Sequence, residues 1–316
     1  MTPKFKIALI GAVKGNPFPI QAGIEQCFEM DFKDRYLMLN SNDLSKGTEK
    51  LIDFKPDFVL IHDNRLDNIK RWQGVLGAIR QKGCKVVIWF NDLMNLTGDV
   101  GFQHPYNIID AIFLCNRDYL ANWSKYFDCP AYYMPQGCMI TEEPKLVEEF
   151  IHDMVFIGQF NHDIHERRTS WWEEIKHHCP NSGIYNGNKR EERAVITRDS
   201  NRLYRQSEFC FVCSPNVWGY NSNRLYNVLA AGGLALVATF NGIEDLLVHK
   251  KTAIIADNAT VVPFLIRWCR DNPEEYEKIR MAGWKLSQEK HTCRMRIFNM
   301  LNHIYYGEHE FWGTKD

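Results

Sequence analysis

The chain has no excess of charge of either sign, no long apolar run, no dense cysteine framework and no Asp-x-Asp pair. Its 38 basic and 39 acidic residues leave a net charge of -1. That excludes a surface that is basic as a whole, and anion binding must then be local. No apolar stretch approaches the ~18 residues of a membrane helix. The opening "MTPKFKIALIGAVKG" reads as a strand and a glycine loop rather than a signal peptide, so a cytoplasmic protein is expected. "IGAVKGN" lacks G-x-G-x-x-G and is no dinucleotide fingerprint. The ten cysteines follow no repeated spacing, and several end apolar runs ("AIFLC", "EFCFVC"). They read as reduced, buried thiols. Without an Asp-x-Asp pair, a metal-bridged diphosphate has no obvious ligands, and no metal is expected. His162–His165 and His177–His178–Cys179 are weak zinc candidates.

What is present is ordinary for a globular protein: 45% hydrophobic and 24% charged residues over 316 positions. That length suits two domains. Apolar runs predict strands at 5–10, 35–40, 57–62, 85–90 and 111–116. Helical patterns lie near 20–30, 43–53, 65–82 and 117–127. The alternation restarts with predicted strands at 154–160, 182–187, 208–214, 234–239 and 252–257, and helices fill 259–306. Strands that are apolar throughout, separated by helices, mean parallel sheets covered on both faces. The architecture is α/β, with two doubly wound Rossmann-like domains. The expected boundaries are 1–140, 141–295 and a last helix, 296–316, packing back on the first domain. In such sheets ligands bind beyond the carboxyl ends of the strands, so the site belongs in loops that follow strands.

The most informative stretch is "NVWGYNSNRLYNVLAAGGLALVATF" (216–240). A polar loop enters a helix whose first turns carry Asn223, Arg224 and Asn227. A helix N-terminus with a guanidinium suits a diphosphate. An ordinary loop–helix–strand unit with a surface arginine reads equally well from pattern alone.

"NRLYNVLAAGGLALVATFNGIEDLL", with the tail "DNPEEYEKIRMAGWKLSQEKHTCRMRIFNML", resembles the end of GT-B glycosyltransferases of the CgeB-like (spore-maturation-protein-like) branch. "VFIGQFNHDIHERRTSWWEEI" is similar to that family's strand–glycine–helix opening of the second domain, and the first half matches more loosely. The resemblance implies the GT-B fold, two domains facing across a cleft, with a nucleotide-sugar donor as substrate and no further cofactor. Arg224 and one of Arg167 and Arg168 would then reach phosphate, with Gly158 permitting close backbone approach. Tyr185 and Asn186 would line the base and Glu244 would face sugar or ribose. The plain alternatives are a solvated helix face, an Asn-Gly turn and a helix cap. The family's usual glutamate, which looks like the partner of the donor ribose, is Asn227 here. That puts the donor type in question.

A catalytic base belongs at a strand end of the first domain. Asp92 ("WFNDL") and Asp63 ("IHDNR") qualify, Asp92 first because the family has an aspartate after the same strand. His62 and His104 are weaker rivals. The expected activity is transfer of a sugar to an acceptor hydroxyl. The alternatives are a nucleotide-sugar epimerase or hydrolase, or a two-domain binding protein. Glycan, protein, small molecule and modified DNA base all fit as acceptor. The basic residues of 189–205 form only a modest patch, and a solvated helix face explains them.

Overall fold

The computed structural model describes residues 5–11, 19–63, 66–92, 108–145, 147, 149–158, 166–185, 197–215 and 217–307. The chain divides into two compact units. One holds Met1–Asn16, Gln21–Pro135 and Arg296–Asp316, and the other Pro17–Ile20 and Gln136–Met295.

The first unit is built on a six-stranded parallel sheet of β1 (Ile7–Ile10), β2 (Tyr36–Leu39), β3 (Phe58–Ile61), β4 (Lys85–Phe90), β5 (Ala111–Leu114) and β6 (Ala131–Tyr133). Their order is β2-β1-β3-β4-β5-β6. Every residue of β1, β3 and β5 is buried, as expected of strands covered on both faces. The crossover helices are α1 (Pro19–Cys27), α2 (Leu44–Phe54), α3 (Leu66–Arg71), α4 (Gln73–Arg80) and α5 (Leu120–Phe127). The helix expected over 65–82 is thus two helices. The break falls at Trp72, whose Nε1–H donates to the Ser41 carbonyl at 2.9 Å. β6 was not foreseen, because its three residues are too short for a pattern.

The second unit has a five-stranded parallel sheet of β7 (His152–Ile157), β8 (Ser182–Tyr185), β9 (Ser207–Val212), β10 (Ala235–Ala238) and β11 (Ile254–Ala256). The order is β11-β10-β9-β7-β8. Its helices are α6 (Glu166–Ile175), α7 (Thr197–Arg205), α8 (Asn223–Ala231), α9 (Val262–Asp271) and α10 (Pro273–Lys290).

The last helix, α11 (Cys293–Tyr306), belongs to the first unit from Arg296 onward. Arg296 is fully buried and donates to the Pro135 carbonyl at 3.0 Å. Farther along, the Tyr305 ring stacks on Phe5 at 4.4 Å and its hydroxyl donates to the Asp57 carbonyl at 2.7 Å. All ten cysteines are free and buried. Among the described residues no helix is long and apolar enough to cross a membrane.

Both sheets reverse strand direction of growth at one point, between β1 and β3 in the first unit and between β7 and β9 in the second. Such switch points leave a crevice at the strands' carboxyl ends. The informative side chains stand there.

Candidate functional site

In the second unit three arginines converge on the carboxyl ends of neighbouring strands. Arg224, in the first turn of α8, donates through Nε to the Ile157 carbonyl at the end of β7, at 2.6 Å. Arg168, in the first turn of α6, donates through Nε to the Cys213 carbonyl just past β9, at 3.4 Å. Arg167 bridges the Ser214 carbonyl at 2.7 Å and the Thr239 carbonyl at 2.5 Å, so it ties the loops after β9 and β10. The Phe156 ring lies beneath two of them, 4.1 Å from the Arg224 guanidinium carbon and 5.1 Å from that of Arg168.

Arg224 and Arg168 are buried, and among the described residues no carboxylate forms an ion pair with Arg224 or Arg167. Burial holds the Arg224 pKa below the ordinary arginine value. Burial, and secondarily repulsion from Arg224, lower Arg168 to about 10. An arginine stays a cation near neutral pH, yet taking a charge such as that of Arg224 out of water with no carboxylate partner among the described residues costs several kcal/mol. Carbonyl dipoles offset only part of that cost, and an anion seated against the guanidinium groups would offset much of the rest.

The start of α8 adds to the same field. Its first turn carries no acidic residue, and the Ser222 side chain caps no amide. Ser222 instead donates its backbone N–H to Ser214 Oγ at 3.1 Å, and Ser214 Oγ donates to Asn221 Oδ1 at 2.8 Å. The loop is therefore closed on itself, and the Ser222 side chain leaves the positive helix end uncapped. Gly158 follows β7 at φ +152°, and a Cβ there would stand 2.2 Å from Arg224 Nη2. Only glycine leaves room for that guanidinium beside the strand end.

The other expected residues are distributed unevenly. Asn227 lies buried one turn beyond Asn223 on α8, and Asn223 is half-buried at the first helical position. Glu244 is exposed on the short turn Ile243–Asp245 after β10. Tyr185 does not join the arginines: its ring leans back over Gly183 and its hydroxyl bonds His152 Nε2 at 2.7 Å. Asn186, His104, His162 and His165 lie outside the described residues. Among the described residues no group of three His, Cys, Asp or Glu is placed to hold a metal ion. Phe156, Ser214 and Asn221 were not singled out from sequence. The period-2 pattern puts Phe156 next to last on a strand but says nothing of a cation above it.

In the first unit, Asp92 is exposed just past β4. Its carbonyl accepts from the Cys115 thiol at 3.1 Å. Asp63 is buried and accepts from Asn68 Nδ2 at 2.8 Å. Beside it His62 donates its backbone N–H to Ile10 at the switch point, at 2.8 Å. Its ring is buried against Trp89 with neither nitrogen hydrogen-bonded. Desolvation drives its pKa down to about 4, against a smaller opposing pull from Asp63.

That shift has a checkable sign. A depressed folded pKa means the unfolded chain binds the proton more readily, so stability present above ~6.5 is lost as pH falls toward 4. Full loss amounts to ~3 kcal/mol. Urea unfolding at stepped pH should show it in the native protein, and His62→Gln should lack that component.

Residues 147–302 match the family model described as glycosyl transferase-like. No curated protein matches the chain. Many solved structures share its fold, three of which match over nearly their full lengths as follows. An alpha-glucosyltransferase with UDP and a 13-mer DNA containing an HMU base superposes with a TM-score of 0.67 at 10% identity, covering 96% of this chain and 100% of that one. HepE from Anabaena, with UDP and glucose, gives 0.63 at 8% identity over 95% and 99%. A putative UDP-N-acetylglucosamine 2-epimerase from Listeria monocytogenes gives 0.54 at 12% over 97% and 98%. At such identities the likeness is one of fold, and the fold is GT-B, with two Rossmann-like domains.

Proposed function

We propose that this protein is a nucleotide-sugar-dependent glycosyltransferase that moves a hexose from a UDP-linked donor to an acceptor hydroxyl. The observation that carries this reading is the trio Arg167, Arg168 and Arg224, held at the carboxyl ends of β7, β9 and β10. A diphosphate supplies the anionic oxygens that these guanidinium groups and the α8 N-terminus match. UDP as the carrier is supported by the bound ligands of two fold neighbours. The sequence likeness to the CgeB-like branch supports the same class of enzyme.

The chemistry follows from where charge develops. As the anomeric bond breaks, negative charge gathers on the departing diphosphate. Fixed donors aimed at that charge stabilise the transition state more than the ground state. Gly158 leaves room for the Arg224 guanidinium that meets the donor's phosphates, while Asn227 and Glu244 supply hydrogen-bonding groups for donor hydroxyls. Asp92 takes the acceptor's proton. It is exposed at a strand end, whereas Asp63 is buried and holds Asn68. No metal ion or further cofactor is required in this scheme.

A donor screen by mass spectrometry tests the class. Incubated with UDP-, dTDP- and GDP-hexoses and a panel of glycan, peptide and oligonucleotide acceptors, the protein should consume a UDP-hexose and add a hexose mass to one acceptor. Consumption with no acceptor present, giving a new hexose isomer or free sugar, would point to an epimerase or hydrolase.

A further inference from the structure

We infer that Trp218 is a stacking platform for a hexopyranose ring, a role that rests on the nucleotide-sugar reading. Trp218 is 47% exposed, in the loop between β9 and α8. An exposed indole invites explanation when its surroundings hold it still, and these do. The Trp218 ring edge rests on Gly242, where a Cβ would stand 2.9 Å from Cδ1 and 3.1 Å from Nε1. Gly242 has φ +83°, so both its conformation and its missing side chain serve this contact. Next to the indole, the Gly219 N–H donates to the Asn241 carbonyl at 2.8 Å. The Trp218 loop is thus fastened to the loop after β10.

Both loops start at the arginine cluster, because Arg167 binds the carbonyls of Ser214 and Thr239. Trp218 stands four residues from Ser214 and four from Ser222, whose mutual hydrogen bond closes the loop. Four residues span at most about 14 Å, so the Trp218 backbone lies within that reach of Ser214 and Ser222. Two residues beyond Gly242 the same loop carries exposed Glu244, followed by exposed Asp245.

An aromatic face with carboxylates on the loop it is fastened to is complementary to a sugar ring. The C–H bonds of a pyranose face are slightly positive and meet the negative face of the indole, while ring-edge hydroxyls donate to carboxylates. A nucleobase would use the aromatic face but has no comparable set of hydroxyls for the acids. The ring could be the donor's own hexose or that of a glycoside acceptor, and the two differ in what they require.

The test is isothermal titration of UDP, UDP-glucose and, on the UDP-saturated protein, methyl glucoside and cellobiose. It uses the native protein, Trp218→Ala and Trp218→Phe. If the donor hexose stacks, Trp218→Ala weakens UDP-glucose about tenfold, ~1.4 kcal/mol, and spares UDP, with Phe restoring part of the loss. If an acceptor hexose stacks, the donor is spared and glycoside binding is lost. Equal loss for UDP and UDP-glucose would assign the ring to the base and overturn the inference, as would no change in any arm. Failure of the native protein to bind UDP would instead bring down the nucleotide-sugar reading and this inference with it. An unchanged melting temperature for Trp218→Ala is expected from a half-exposed side chain, and a large fall would mark the indole as structural.

Discussion

Arg224→Ala should lower hexose transfer by about 10²- to 10³-fold while leaving the protein folded. The guanidinium is fixed before any ligand arrives, by the Ile157 carbonyl on Nε at 2.6 Å and by Ser222 Oγ at 3.4 Å from Nη1. A donor group fixed in advance needs no reorganisation when charge develops on the diphosphate. Removing it therefore lowers kcat and not only affinity. Stability should move little, because alanine loses a charge-assisted hydrogen bond but also relieves a buried cation that has no carboxylate partner among the described residues. Lysine should rescue poorly. A single ammonium cannot hold the Ile157 carbonyl and still present a planar pair of donors to phosphate. Steady-state assays of UDP release, with circular dichroism melts of the same samples, check both halves.

Gly158→Ala should approach the same functional loss by a different route, and should also destabilise the protein by about 1–3 kcal/mol. The destabilisation comes from φ +152°, a region that side chains rarely adopt. The functional loss comes from the new Cβ, 2.2 Å from Nη2 and 3.2 Å from Cζ of Arg224. The guanidinium sits above Phe156 and cannot withdraw without breaking its bond to Ile157. The two variants should then be strongly coupled. In an Arg224→Ala background, Gly158→Ala should add little further loss of UDP affinity, while its backbone strain persists in the melting curve. Additive affinity losses would show that Gly158 touches the nucleotide independently of the arginine.

The parallel sheets were legible in the sequence because each long strand is apolar on both faces, as "KVVIWF" and "EFCFVC" are. β6 escaped for want of length, and the break at Trp72 escaped because an indole bonded to a distant carbonyl keeps its helical spacing in the sequence. Arg224 was visible because a polar loop, an arginine and a helix start coincide there. Its partner Phe156 was not, since burial pattern cannot say what lies above a ring. Tyr185 shows the limit of strand alternation. The pattern assigns a face of the sheet, but not that the ring leans back toward His152. His62 was ranked below its aspartate neighbour because an imidazole with no hydrogen-bond partner looks, in sequence, like any other histidine.

A preformed site for a diphosphate is tested most directly by titration of uridine and UDP into the native protein. UDP should bind and raise the melting temperature, by ~2.7 kcal/mol of stabilisation at a hundredfold excess over Kd. Uridine, lacking the phosphates that Arg167, Arg168 and Arg224 await, should bind at least a hundredfold more weakly. Equal affinity for uridine and UDP would contradict the assignment of these arginines to a diphosphate.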